Sequence, residues 1–398
     1  MNEVDYTHKT INSISQSAFK LLFVMFWVQN TILNNFVLAI LRKIPFISYV
    51  ADIIIPICFI LVILFAFPYI LKEISGVDIV FYFVCLIVVL LNIIIYPNNA
   101  YYIEEKLVDI LIFVLLAFFL GVAYRHNEVK RSIFYASAIS VLTFFAYQFY
   151  VLSSGRELAD YNMDAAYHIL PSAVFLIYWA FERKKIINAT LAIVGLALIF
   201  TYGTRGPMLA MIIFLFACIF IYGLRNKSVI FRFVYITCVS SIVIWLLTST
   251  VMIDTARYLS KTFSEAGFST RIFDYFLKDE ITVSKGRDII YSSIEQSIKE
   301  NLLFGCGLMG DRVIVNIYAH NLFLELLCQF GVVFGGLLIF LSVGLPLCAL
   351  FIARKDSSFM FLVMLSIMVF TKLMFSGSYI EEPYFFLLMG MSVKTIRD

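Results

Sequence analysis

His320, in the run Tyr318-Ala319-His320-Asn321-Leu322-Phe323-Leu324-Glu325, is the residue best suited to moving a proton in this chain. An imidazole of ordinary pKa, about 6.5, can take a proton from a hydroxyl at neutral pH, which is the work of a general base. Asn321 and Glu325 follow it and stand as candidate substrate contacts. The plain alternative is an interfacial histidine hydrogen-bonded to a carbonyl. Against it stands the cost of placing ionisable groups at the edge of a hydrocarbon layer, which tends to reserve them for function.

Two arginines could hold an anion. Arg205 lies in Thr201-Tyr202-Gly203-Thr204-Arg205-Gly206-Pro207-Met208, a tight turn between hydrophobic runs, where backbone amides and a guanidinium can face one phosphate. A guanidinium meets phosphate oxygens in a two-pronged way that an ammonium cannot. Arg287 opens a stretch in which Ile289, Ile290, Ile294 and Ile298 recur at helical spacing. That position suits an anion, because the first amides of a helix are free and its dipole points there. A headgroup anchor and a solvated loop arginine are the plain alternatives. Arg156, Asp160, Asn162 and Asp164 cluster before another hydrophobic run, as sugar contacts or as solvated loop residues. The glycines at 305, 307 and 310 lack the Lys-Ser or Lys-Thr of a phosphate loop. No His/Cys spacing suggests a metal, and no Ser-His-Asp order can be defended.

These residues sit in a chain of 398 residues that is 62% hydrophobic and 14% charged, where soluble proteins carry roughly 25% charged residues. The recurring unit is an apolar run of the length that crosses a bilayer, and such runs must be helical to pair their backbone groups. The expectation is an all-α, polytopic integral membrane protein. Spans are read near 19–41, 51–71, 77–96, 107–124, 132–152, 167–181, 186–202, 207–224, 230–252, 321–352, 358–375 and 380–394, about twelve in all. The first is interrupted by Gln29, Asn30, Asn34 and Asn35, and no cleavage pattern marks it as a signal peptide. The tenth is too long for one crossing and should begin as an interfacial helix or tilt strongly.

With the N-terminus in the cytoplasm, sixteen lysines and arginines fall on that side and six on the short outer loops or near them. The organisation expected is helices 1–9 in 1–253, an extracytoplasmic loop over 254–319, and helices 10–12 in 320–398. The loop should carry an amphipathic helix lying on the membrane. Its eight basic and nine acidic residues nearly cancel, so it is no funnel for nucleic acid or other polyanions, and any anion must be held by particular arginines. Of seven cysteines only Cys306 lies in this loop, with no evident disulfide partner there.

Three segments together resemble the O-antigen polymerase and ligase superfamily of bacterial envelopes. They are the Thr204-Arg205-Gly206 turn, the Arg287 helix running to Asn301-Leu302-Leu303-Phe304-Gly305-Cys306-Gly307-Leu308, and His320-Asn321-Leu322-Phe323-Leu324-Glu325. Thr204 replaces the family's Ser and Leu302 its Pro. The resemblance covers roughly residues 155–395. It implies a multi-pass protein of the bacterial inner (cytoplasmic) membrane that works on the extracytoplasmic face without nucleotide, metal or other cofactor. It further implies transfer of a glycan from undecaprenyl diphosphate to a sugar hydroxyl, with inversion. Arg205 and Arg287 would hold the diphosphate, His320 would deprotonate the acceptor, and Glu325 or a backbone group would orient the ring. Partners implied are the undecaprenyl-diphosphate-linked oligosaccharide, membrane lipid and a chain-length regulator protein.

Within the superfamily the favoured reading is a polymerase of O-antigen or capsule; the alternative is a ligase passing the glycan to lipid A–core. A flippase or transporter for the same lipid-linked sugars would share the hydropathy but would line a central cavity with ionisable groups. Here the spans are nearly charge-free, Lys372 excepted. A structural scaffold would give no reason for three such motifs.

Overall fold

The computed structural model describes residues 3–42, 44, 50–153, 163–224, 228, 230–232, 235–237, 241, 250–265, 270, 273, 277 and 287–398. Most of the ninth expected span and of the loop at 266–286 therefore lies outside the described residues, as do Arg156, Asp160 and Asn162.

The described elements are helical, with no strand among them. They are α1 (Glu3–Val28), α2 (Ala51–Glu73), α3 (Gly76–Ile95), α4 (Ala100–Val108), α5 (Leu115–Val122), α6 (His126–Ser153), α7 (Met163–Arg183), α8 (Ile186–Thr201), α9 (Arg205–Leu224), α10 (Thr250–Glu265), α11 (Arg287–Glu300), α12 (Gly310–Val315), α13 (Leu322–Phe330), α14 (Gly336–Ala353), α15 (Phe359–Phe375) and α16 (Pro383–Arg397). Ile53–Glu73, Gly76–Ile95, His126–Val151, Arg205–Leu224 and Leu322–Ala353 are long and apolar enough to cross a membrane, and Ile186–Thr201 and Phe359–Phe375 are shorter apolar helices. The protein is an all-α, multi-pass membrane protein.

The polar residues that interrupt the first apolar run do not break it. The chain passes through a π-helical stretch over Gln29–Val37 and ends in a last turn at Leu38–Leu41. The wider turns loosen the regular ladder, and Thr31 Oγ1 donates to the Val28 carbonyl at 3.1 Å.

Contacts divide the chain into two compact units: Met1–Met25, Ile53–Lys130 and Ser284–Asp398 form the first, and Phe26–Asp52 and Arg131–Val283 the second. In the second, polar side chains tie helices together where hydrophobic association alone gives little preference. Trp27 Nε1 donates to Ser137 Oγ at 3.0 Å, Thr31 and Ser140 share a hydrogen bond of 3.0 Å, and Gln148 Nε2 donates to Thr201 Oγ1 at 2.9 Å.

In the first unit α5 and α16 approach so closely that a Cβ at Gly121 would lie 2.3 Å from the Leu387 carbonyl oxygen. The start of α3 and the end of α16 are joined by charges. Arg125 and Lys394 both pair with Glu73, at 2.5 and 2.6 Å, and Arg397 reaches Asp78 at 2.8 Å. Asp78 closes a capping box with Ser75 at the start of α3. These basic residues, assigned to one side of the membrane by charge bias, thus meet at one end of the unit. The other ends of α3 and α16 carry the groups described next, roughly 20–30 Å away at 1.5 Å per helical residue.

Candidate active site

His320 is positioned by the residues just before and after it. Asn321 is the N-cap of α13, its Oδ1 accepting from the amides of Phe323 at 3.0 Å and Leu324 at 3.2 Å. A substrate contact from Asn321 would therefore have to come from its amide nitrogen. On the other side the Ala319 amide donates to Asp311 Oδ2 at 3.1 Å. Between these two ties His320 takes a left-handed backbone with φ of 54°. Among L-residues histidine is one of those enriched there. Its ring lies against Tyr318, centroids 4.3 Å apart. The Tyr318 hydroxyl donates to the Ser376 carbonyl at 2.9 Å, which fixes the surface on which the imidazole rests.

His320 is half-buried, and its Nδ1 is buried with no hydrogen-bond partner among the described residues. Burial, and secondarily the positive charge of Arg287, lower its pKa from the usual 6.5 to about 4. The ring is neutral at physiological pH, and a buried nitrogen without a partner is open to a ligand hydroxyl or a water.

Arg287 is the first residue of α11, half-buried, with the free amides of that helix around it. The expected amphipathic helix is present, but its apolar face is covered by protein. Ile294 packs with Ala319 and Cys328, flanked by Ile290, Ile298 and Leu324, while Ile289 points outward and is 72% exposed. This docking carries Arg287 toward His320.

The glycine-rich strip after α11 has a structural task. Its amides of Cys306 and Gly307 donate to the carbonyls of Cys328 and Gln329, both at 2.9 Å, and Val332 returns a bond to Leu302 at 2.8 Å. These are carbonyls that the end of α13 would otherwise leave unpaired. The strip can lie this close because Gly305 (φ +71°) and Gly331 (φ +66°) carry no Cβ; one added at Gly331 would stand 2.3 Å from the Leu303 carbonyl oxygen. Gly331 ends α13 and a π-turn over Gly331–Gly335 starts α14, so the overlong tenth run is two helices. Asn92 and Asn99 hold the strip from the side of α3, Asn99 Nδ2 donating to the Cys306 carbonyl at 2.8 Å and to that of Leu308 at 3.0 Å. Asn92 Oδ1 accepts from the Leu308 amide at 2.6 Å.

Beneath this lies a buried charge network that the sequence reading missed. Arg312, 5% exposed, is 3.2 Å from Asp311, 3.4 Å from Glu325 and 3.2 Å from Glu381. Its Nη2 also donates to Ser378 Oγ at 2.9 Å. Gln329 Nε2 donates to Asp311 Oδ1 at 2.7 Å, and Tyr379 donates to Gln329 Oε1 at 2.8 Å. Ser378 donates a short hydrogen bond to Glu325. Burial works against the Arg312 charge, but the carboxylates outweigh it and hold the guanidinium firmly protonated. Burial pushes Asp311 above the usual carboxylate range although Arg312 pulls it down. Glu325 is fully buried in this network, 0% exposed, and its carboxylate is engaged by Arg312, Ser378 and the Tyr379 amide at 3.4 Å. Its observed work is to anchor α13 rather than to face a ligand or the His320 ring.

The remaining candidates belong to the second unit. Arg205 is the exposed first residue of α9, after a turn in which Gly203 has φ of +66° and its amide donates to the Phe200 carbonyl at 3.1 Å. Thr204 just before it is 1% exposed, and its hydroxyl has no hydrogen-bond partner among the described residues. Asp164 is exposed in the first turn of α7.

The fold and this cluster define a multi-pass helical membrane protein that gathers a neutral histidine and an arginine at one end of a helical unit. The family described as O-antigen ligase matches residues 189–341. That stretch contains Arg205, Arg287, His320, Asn321 and Glu325, so the resemblance to the O-antigen polymerase and ligase superfamily is borne out over it. The match supports an activity of the O-antigen ligase and polymerase type. No curated protein matches the chain.

Proposed function

We propose that this protein is a polysaccharide polymerase, a metal-independent glycosyltransferase that extends one undecaprenyl-diphosphate-linked glycan with another at the extracytoplasmic face of the bacterial cytoplasmic membrane. The observation that carries the proposal is the His320 imidazole, neutral, with an Nδ1 that has no hydrogen-bond partner among the described residues and with the charge of Arg287 acting on it. The sidedness is supported by the basic cluster of Arg125, Lys394 and Arg397 at the end of the first unit away from His320, since such clusters favour the cytoplasm.

In this reading the acceptor hydroxyl gives its proton to His320 as it attacks the anomeric carbon from the face opposite the leaving diphosphate, and the configuration inverts. Arg287 and, by the resemblance, Arg205 neutralise the charge that grows on the departing diphosphate. The diphosphate has a second effect. Its negative charge offsets that of Arg287, favours the imidazolium, and so makes His320 a stronger base once the donor is bound. Arg156, Asn162 and Asp164 are assigned to sugar contacts, and a chain-length regulator protein is the expected partner. The ligase reading rests on the same residues and differs only in the acceptor.

Purified protein given an undecaprenyl-diphosphate-linked repeat unit and no other acceptor is expected to yield a ladder of lipid-linked oligomers that persists in EDTA. Release of product only when lipid A–core is added would replace the polymerase by a ligase. The pH profile carries a second expectation. kcat/KM reports the free enzyme, so its acid limb should lie near pH 4, where His320 gains its proton, rather than near 6.5. In Arg287→Gln the imidazolium loses a repelling charge and the limb should move upward. A limb at pH 6.5 that Arg287→Gln leaves in place contradicts this.

A further inference from the structure

Cys306 and Cys328 lie in different segments, one in the glycine strip after α11 and the other in α13. The strip's backbone pairing brings them together: the Cys306 amide donates to the Cys328 carbonyl at 2.9 Å, and the two Sγ atoms are 3.4 Å apart. The Cys306 Sγ also donates to the Cys328 carbonyl at 2.9 Å and lies 3.3 Å from Ser297 Oγ of α11. The pair is thus a junction of α11, the strip and α13, within the packing that contains Ala319 next to His320. Gly305 and Gly331 make this close crossing possible, so the sulfurs are held in register by backbone rather than by free rotation of two side chains.

We propose that Cys306 and Cys328 are a modification site, joined as a disulfide by a disulfide-bearing oxidant. Cys306 attacks the oxidant's disulfide as its thiolate, releasing one thiol and leaving a mixed disulfide on Cys306. Cys328 then attacks the Cys306 sulfur, releasing the second thiol; two electrons pass to the oxidant and the two cysteine protons leave with the products. The hydrogen bond with Cys328 lowers the Cys306 pKa from 9.0 to about 7 against the effect of burial, which makes Cys306 the attacking partner. The bond would lock the glycine strip onto α13 and close a covalent ring over residues 306–328, which contains His320. The inference is independent of the activity proposed above.

The test uses the full chain in its membranes with Cys348→Ser. Tryptic peptides 300–312 and 313–354 then carry one cysteine each, Cys306 and Cys328. Membranes are treated with oxidised glutathione, free thiols are blocked with N-ethylmaleimide under denaturing conditions, and the digest is read by mass spectrometry. The expected result is the two peptides joined, separated by dithiothreitol, and no joined species when Cys328 is also Ser. Both cysteines recovered with N-ethylmaleimide or with glutathione attached, in protein that still binds detergent micelles as a folded monodisperse species, overturn the proposal.

Discussion

Arg312→Met is expected to lower the unfolding free energy by about 3–5 kcal/mol, the typical effect of removing one partner from a buried ion network. The guanidinium is 5% exposed and faces Asp311 and Glu325, both 0% exposed, so its loss leaves carboxylates buried without compensation. Asp311 also holds the Ala319 amide, so the damage should spread to the left-handed backbone of His320. Unfolding in mixed detergent, followed by the far-ultraviolet circular dichroism of the helices, measures the change. Asp311→Asn added to Arg312→Met should recover part of the loss, because one uncompensated charge is gone, and the two effects should not be additive. An Arg312→Met protein as stable as the parent would show that the network stabilises nothing.

His320→Asn is expected to reduce turnover of lipid-linked substrate by about 10²–10⁴, the usual contribution of a general base. Asparagine also tolerates a positive φ, so the backbone at 320 keeps its shape. Stability should hardly change, because the imidazole Nδ1 has no hydrogen bond among the described residues to lose. The pairing of a large loss in turnover with an unchanged unfolding curve separates a catalytic histidine from a structural one. A His320→Asn protein that unfolds early and regains its turnover when stabilised assigns the residue to packing.

The helices, and the membrane class they define, were legible because apolar length and periodicity are local properties of sequence. The helix opening at Arg287 follows from the spacing of Ile289, Ile290, Ile294 and Ile298, although Ile289 lies off the packed face. What covers its apolar face does not follow, since periodicity says that a face is apolar and not whether lipid or protein meets it. Here α13 and Ala319 meet it, and the helix is docked rather than laid on a membrane. Glu325 was read as a ligand because it follows His320 closely. The Asn321 cap starts α13 between them, and one turn of helix carries Glu325 inward to Arg312. Arg312 itself resembled any of eight loop cations in the sequence, and only tertiary burial distinguishes it. The partner of Cys306 was missed for a related reason: it lies in the following helix, at a pairing that the glycines permit and no sequence spacing encodes.

Glycosyl transfer by a site containing His320 can be read on a gel of envelope polysaccharide. Cells lacking the protein are complemented with wild type, His320→Asn or Arg205→Lys at matched membrane levels. Wild type should restore a ladder, and both variants should leave a single repeat unit on its carrier. Full-length chains from the variants would contradict the account of the site, and long lipid-linked chains accumulating in cells without the protein would contradict the polymerase.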